Sequence, residues 1–185
     1  MPEMKSMAEA IKDVTLRRAT AEDASFVNEL TRRVMRPYVE ATWERIEERE
    51  HYYKINLFQM PTTSIIQLNG TDVGRVSITR NDDLIVIDEI HILSEYQGKG
   101  IGSAVFQTVL DEGRKKNLPV ELFLLKVNPS KKLYERLGFH VYREDKERFY
   151  MKTIGGKTSF PAACCSALRL ARRRTVSARE FRLML

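Results

Sequence analysis

The stretch from Leu84 to Val127 limits the fold more than any other part of this chain. Leu84 to Leu93 is a largely apolar run of strand character. Glycines then interrupt the chain at Gly98, Gly100 and Gly102. Ile101, Ala104, Val105, Thr108 and Val109 follow at the spacing of one helix face. Pro119 to Val127, with Leu122-Phe123-Leu124-Leu125 at its centre, returns to strand. A strand, a helix and a second strand in this order predict a parallel crossover, with the helix packed on one face of the sheet.

Elements on either side extend that unit. Val14 to Arg18 reads as a short strand, and Thr20 with Asp23 resembles a capping box. Phe26, Val27, Leu30 and Val34 recur at helical spacing. Pro37 is expected to break or bend that helix, and Tyr38 to Trp43 leads into a second, charged helical stretch. Thr63 to Leu68 and Val73 to Thr79 are strands joined through Asn69-Gly70, a strong tight-turn signal. Downstream, Asn128-Pro129 has the chemistry of an N-cap and first helical residue, and Gly138 that of a helix stop. Phe139 to Arg143 and Arg148 to Thr153 complete the pattern as two more strands. The order β-α-α-β-β-β-α-β-α-β-β predicts an α/β fold, a mixed central sheet of about six to seven strands with helices on both faces.

Charge divides the chain sharply. Of its 185 residues, 31 are Lys or Arg and 25 are Asp or Glu, a net charge of +6. Up to Ile154 the two signs balance, so the whole excess lies beyond it, where Glu180 is the single acid. A nucleic-acid partner is therefore an expectation for the tail alone. Cys164 and Cys165 lie in the same tail, adjacent and without further ligands, so neither a structural disulfide nor a metal is expected. No apolar run approaches the roughly eighteen residues of a membrane span, and the charged N-terminus lacks a signal-peptide core. A cytoplasmic protein with no membrane partner is the resulting expectation. Three segments follow: an N-terminal extension over 1–13, one domain over 14–154, and a basic tail over 155–185. The tail reads as an amphipathic basic helix, a disordered extension or sequence foreign to the domain; an appendage without catalytic role is the favoured reading.

The glycine-rich turn carries the first chemical signal. Glycines between a strand and a helix allow close backbone approach, and several amides can converge on one anion beside a helix N-terminus. By themselves these features fit a pyrophosphate cradle or a flexible connection equally well. Two familiar phosphate motifs are excluded. The dinucleotide fingerprint needs a glycine where Ser103 stands, and a P-loop ending at Gly156-Lys157 needs one where Met151 stands.

Gln97, Gly100 and Gly102 do match the acyl-CoA loop of the GNAT N-acetyltransferase superfamily, whose pattern is Gln or Arg, two residues, Gly, one residue, then Gly or Ala. Ile90 to Tyr96 resembles the family's fourth strand and its exit, with Ser94 where proline is common. Asn128 to Phe139 is very similar to the family's second CoA-side signature. The resemblance covers about residues 14 to 154. It implies acetyl transfer from acetyl-CoA to a primary amine by direct attack in a ternary complex, a small-molecule acceptor being favoured. A protein N-terminal or lysine acetyltransferase, or a non-catalytic CoA-binding or RNA-binding module, is the alternative, and a homodimer is left open.

The resemblance also implies roles. Backbone groups of Ile90, His91 and Ile92 would meet the pantetheine arm, as would the Asn128 side chain. The turn Gln97, Gly98, Lys99, Gly100, Ile101, Gly102 and Ser103 would hold the pyrophosphate. Tyr134 is the candidate acid, since a phenol near sulfur can protonate the departing thiolate. Asp88, Glu89 and His91 are candidate bases. Period-two alternation predicts Asp88 on the face opposite Glu89 and His91, and Asp88 is favoured because it lies where several relatives carry a base. Met35, Tyr38 and Trp43, with Tyr52 and Tyr53, are candidates for lining the acceptor pocket. A chain ended at Ile154 is expected to keep its melting temperature and acetyl-CoA affinity while losing salt-sensitive attraction to polyanions; aggregation or much weaker cofactor binding would place the tail on the domain.

Overall fold

The computed structural model describes residues 13–154, so the tail and its cysteines lie outside the described residues. The elements are β1 (Val14–Arg18), α1 (Ala24–Thr42), α2 (Ile46–Ile55), β2 (Thr63–Leu68), β3 (Thr71–Arg80), β4 (Ile85–Ile92), α3 (Ile101–Lys116), β5 (Val120–Leu125), α4 (Lys131–Arg136), β6 (His140–Glu144) and β7 (Arg148–Lys152). Their order is the one the sequence pattern predicts. The strands form a single seven-stranded sheet in the order β1-β2-β3-β4-β5-β7-β6. Every neighbouring pair is antiparallel except β4 with β5, which α3 connects as a parallel crossover.

Both faces of the sheet are covered. Val105, Phe106 and Val109 of α3 pack on Ile85, Ile87, Leu122 and Leu124. Leu125, one residue on and therefore facing the other way, joins Met35, Val39, Tyr52 and Tyr53 of α1 and α2. At the β2–β3 hairpin Asn69 and Gly70 have φ of 52° and 79°, the two left-handed residues that a two-residue turn needs. Arg17 of β1 fastens the start of α1 to the sheet, its guanidinium donating to Asp23 at 2.7 Å and to Asp72 of β3 at 2.5 Å.

Two local expectations are corrected. α1 runs unbroken from Ala24 to Thr42 with Pro37 inside it, so Pro37 does not break the helix. Proline inside a helix costs about 3 kcal/mol, but Leu30 and Val39 flank it fully buried. Each contributes roughly 1.5–3 kcal/mol of burial, so packing outweighs the lost hydrogen bond. The second correction concerns Asn128 and Pro129. α4 begins at Lys131 with Ser130 as its cap, and Asn128 Oδ1 accepts from Ser130 N at 2.9 Å in a turn before the helix.

The feature that shapes the site is a bulge in β4. Ser77 pairs with Glu89 and Ile78 with Ile87, leaving Asp88 as the extra residue. Such an insertion shifts the alternation of everything after it. Ile85 and Ile87 face α3, and so do Ile90 and Ile92. Without the bulge, residues three apart could not share a face. Glu89 and His91 are thereby turned toward α1, onto the face that carries Arg75, Ser77 and Thr79 of β3. Asp88 lies on this face as well, its Oδ2 accepting from Thr79 Oγ1 at 2.7 Å. The expectation that Asp88 opposes Glu89 and His91 is overturned by the bulge, which strict alternation does not contain.

β3 and β4 approach closely at Gly74, where a Cβ would overlap the His91 carbonyl oxygen and lie 3.2 Å from Ile92 Cα. Gly74→Ala is expected to lower stability by about 1–3 kcal/mol, read as a lower urea midpoint at unchanged slope. An unchanged midpoint would mean that the two strands part without cost.

Candidate active site

Divergence of β4 from β5 opens the site. Their ladder runs from Ile85 and Val120 to Ile87 and Leu122. Beyond that point β4 stays with β3 as far as Ile92, while β5 stays with β7 as far as Leu125. The cleft between them has Asp88 to His91 on one wall and Phe123 to Leu125 on the other, and Met35, Tyr52, Phe106, Asn128 and Tyr134 close it.

Between the end of β4 and the start of α3 stands the glycine-rich turn. Gly98 and Gly100 have φ of 73° and 83°, a left-handed conformation that side chains resist. A Cβ would meet nothing within 4 Å at either position, so backbone conformation and not crowding requires glycine here. Gly100 caps α3, its carbonyl accepting from Ala104 N at 3.0 Å. The first amides of a sixteen-residue helix are thus presented at the turn. Gln97 ties the turn back to the strand by donating from Nε2 to the Ile92 carbonyl at 2.8 Å. Ile101 is buried in the core, so only its backbone can serve a ligand. Lys99 stays exposed, with Nζ 5.1 Å from the Tyr96 ring centre.

Tyr134 is held from three sides. Its ring lies 5.1 Å from that of Phe106 and 6.3 Å from that of Phe139, and it is buried at the base of the cleft. Burial, aided by the nearby Tyr38, pushes its phenol up to about 12 against a hydrogen bond to Ser130 that lowers it. The group therefore keeps its proton throughout the neutral range.

Across the cleft an arginine absent from the sequence reading organises the candidate bases. Arg75 is almost completely buried, its guanidinium paired with Glu89 and its Nε donating to His91 Nδ1 at 3.2 Å. That hydrogen bond makes Nδ1 an acceptor and places the proton of the neutral ring on Nε2. Burial and then the charge of Arg75 hold the imidazole well below its usual range. Thr31 of α1 sits 3.3 Å from the same nitrogen while donating to Val27 O. His91 is thus a neutral strut between the sheet and α1, and Glu89 is committed to a buried cation. Asp88, beside them, lines the cleft with a hydroxyl partner only one strand away.

Residues 27–139 match the model of the acetyltransferase (GNAT) family. The chain belongs to that family. No curated protein sequence matches it. Among solved structures, the PaiA N-acetyltransferase of Thermoplasma acidophilum in complex with coenzyme A is similar, at a TM-score of 0.62 and 17% identity, covering 76% of this chain and 98% of that one. Arabidopsis thaliana Naa50 in complex with the bisubstrate analogue CoA-Ac-MVNAL has a TM-score of 0.54 at 17% identity, over 76% of this chain and 98% of that one. A GNAT-family acetyltransferase of Bacillus anthracis has 0.56 at 19%, over 76% and 93%.

Of the acceptor-side residues read from the sequence, Met35 lines the GNAT cleft together with Tyr52. Tyr38 and Trp43 pack beside it, Trp43 with its ring centre 5.5 Å from that of Tyr52. Tyr53 is core. In Gly100→Asp the side chain would enter a left-handed conformation and set a negative charge at the turn, so CoA affinity is expected to fall at least about tenfold. Unchanged affinity by calorimetry in the folded variant would remove the turn from the binding site.

Proposed function

We propose that this GNAT chain transfers the acetyl group of acetyl-CoA to a primary amine on a small molecule, by direct attack with both substrates bound. The observation that carries the reading is the divergence of β4 and β5, which sets Asp88 and Tyr134 in one cleft behind a glycine-capped helix N-terminus. The residues present suit the donor. Left-handed Gly98 and Gly100 and the start of α3 form a concavity for pyrophosphate. The β5-facing edge of β4 at Ile90, His91 and Ile92 is available for an amide-bearing arm, with Asn128 opposite.

Acetyl-CoA supplies a thioester carbon as electrophile. An acceptor arrives as an ammonium ion, with a pKa near 10.4 for a lysine-type amine, and must lose a proton before it attacks. Asp88, directly or through water, is the group placed to take it. The amine nitrogen then bonds to the acyl carbon as the carbon–sulfur bond breaks, and the nitrogen gives up its second proton to solvent to become the neutral amide. Tyr134 donates its proton to the departing thiolate and regains one from solvent, so that an amide and free CoA leave. His91, neutral and hydrogen-bonded on Nδ1, positions the strand and does not act as the base. Residues 14–154 supply all of these groups; the basic tail supplies none, and any polyanion partner would be its own. Among the described residues no helix is long and apolar enough to cross a membrane.

The test is thiol release from acetyl-CoA with a panel of amines, peptides and polyamines. Tyr134→Phe keeps the ring's packing and is expected to lower kcat by about 10²–10⁴, with acetyl-CoA affinity retained. The wild-type rate should show no alkaline decline before the pH nears the phenol's value of about 12. Full turnover in Tyr134→Phe would assign this residue to packing.

A further inference from the structure

The half of the sheet beyond the cleft carries an arginine that the chemistry above does not use. Leu122, Leu124 and Met151 face the α3 side. Phe123 on β5, and Arg148 and Tyr150 on β7, therefore face the other way, in the register Phe123 with Tyr150 and Leu125 with Arg148. The two aromatic rings lie 6.3 Å apart. Over each sits a guanidinium: Arg148 Cζ is 5.6 Å from the Phe123 ring centre, and Arg143 Cζ is 3.7 Å from that of Tyr150.

Arg148 is half-buried and, unlike the buried Arg75, has no carboxylate of its own. Its Nε is buried without a hydrogen-bond acceptor, and no ion pair among the described residues uses it. Against the opposing effect of burial, hydrogen bonds from Tyr150, Glu147 and Arg148 hold the Asp145 carboxyl low, and Asp145 is near enough for the Arg148 charge to help. That carboxylate is already occupied, Oδ1 by the amides of Glu147 and Arg148 at 2.9 and 2.7 Å and Oδ2 by the Tyr150 hydroxyl at 2.8 Å. A buried charged donor left unmet is costly, and such exceptions call for a missing acceptor. Position indicates which. Phe123, under the Arg148 guanidinium, and Leu125, its partner across the ladder, both line the cleft. Arg148 lies one strand over and two residues along from Phe123, about 8 Å between backbones at 4.8 Å per strand and 3.3 Å per residue.

We propose that Arg148 binds the anionic group of the acceptor, so that the amine acetylated here carries a carboxylate or phosphate a few bonds from its nitrogen. The proposal rests on the acetyl-transfer reading and names its substrate class. A zwitterion would place its ammonium at Asp88 and its oxyanion beside Phe123 and Leu125, where the Arg148 fork would take it in two parallel hydrogen bonds. Phe123 lies beneath the guanidinium, with Arg148 Cζ 5.6 Å from its ring centre. Glu89 does not cancel this field, because Arg75 neutralises it.

The experiment compares matched acceptors with saturating acetyl-CoA: β-alanine against β-alaninamide for the carboxylate, O-phosphoethanolamine against ethanolamine for the phosphate. At least one anionic member should exceed its neutral partner in kcat/KM by roughly tenfold or more, and the two arms separate the two oxyanions. In Arg148→Gln that ratio should fall toward one, with the loss in KM more than in kcat, and Arg148→Lys should restore part of it. Equal use of charged and neutral partners, or a ratio that survives in Arg148→Gln, overturns the proposal. A second readout needs neither turnover nor a folded variant. In CoA-saturated wild-type protein the buried Arg148 Nε–H resonance should shift when β-alanine or O-phosphoethanolamine is added, and an unmoved resonance with both also overturns it. If that resonance moves while no amine on any panel is acetylated, the anion site stands and acetyl transfer falls.

Discussion

One inserted residue, Asp88, sets up the site. A strand that alternated without interruption would send Ile85, Ile87, Glu89 and His91 to one face, burying a carboxylate and an imidazole against the apolar side of α3. The bulge avoids that cost by turning Glu89 and His91 to α1 while keeping Ile90 and Ile92 on the α3 core. It also coincides with the end of the β4–β5 ladder at Ile87 and Leu122. A single irregularity therefore directs the polar side chains and begins the cleft, linking local register to function.

Arg75 makes the rotated face tolerable. His91 arrives under α1 buried and Glu89 mostly so, and a carboxylate in such a place without a cation would be expelled or protonated. The Arg75 guanidinium meets both, and Thr31 closes the cluster from the helix side. Asp88, on the same wall, accepts from the Thr79 hydroxyl. Structural pairing and the proposed chemistry are thus divided among three polar residues of one strand, Asp88, Glu89 and His91.

Packing on the other wall does comparable work for the proposed acid, Tyr134. Tyr134 comes from α4, a helix of six residues too short to hold a side chain by itself. Phe106 of α3 and Phe139 fix its ring, and Gly138, with φ of 92°, ends the helix so that Phe139 can turn back to do so. Burial that orients the phenol also raises its proton affinity. A phenol so held stays protonated through the neutral range, as the proposed acid requires.

Features that depend on neighbours in the chain were legible in the sequence. Element order, the Asn69-Gly70 hairpin, the left-handed glycines before α3, the stop at Gly138 and the family signature all rest on local backbone conformation. Charge partition at Ile154 needs only counting. Other features were set by contacts between distant segments. Pro37 stays within a helix because Leu30 and Val39 are buried against other elements. Asn128 serves a turn instead of a cap because α4 starts where β5 delivers the chain. Arg75, Ser77 and Thr79 alternate as an exposed polar stripe would, and become a buried seam only because α1 lies over them. Arg148 has the look of any edge-strand arginine until the register sets it above Phe123. The bulge at Asp88 has no signal of its own in the sequence, since it follows from the register of β4 against β3, and register is fixed by the burial of whole faces.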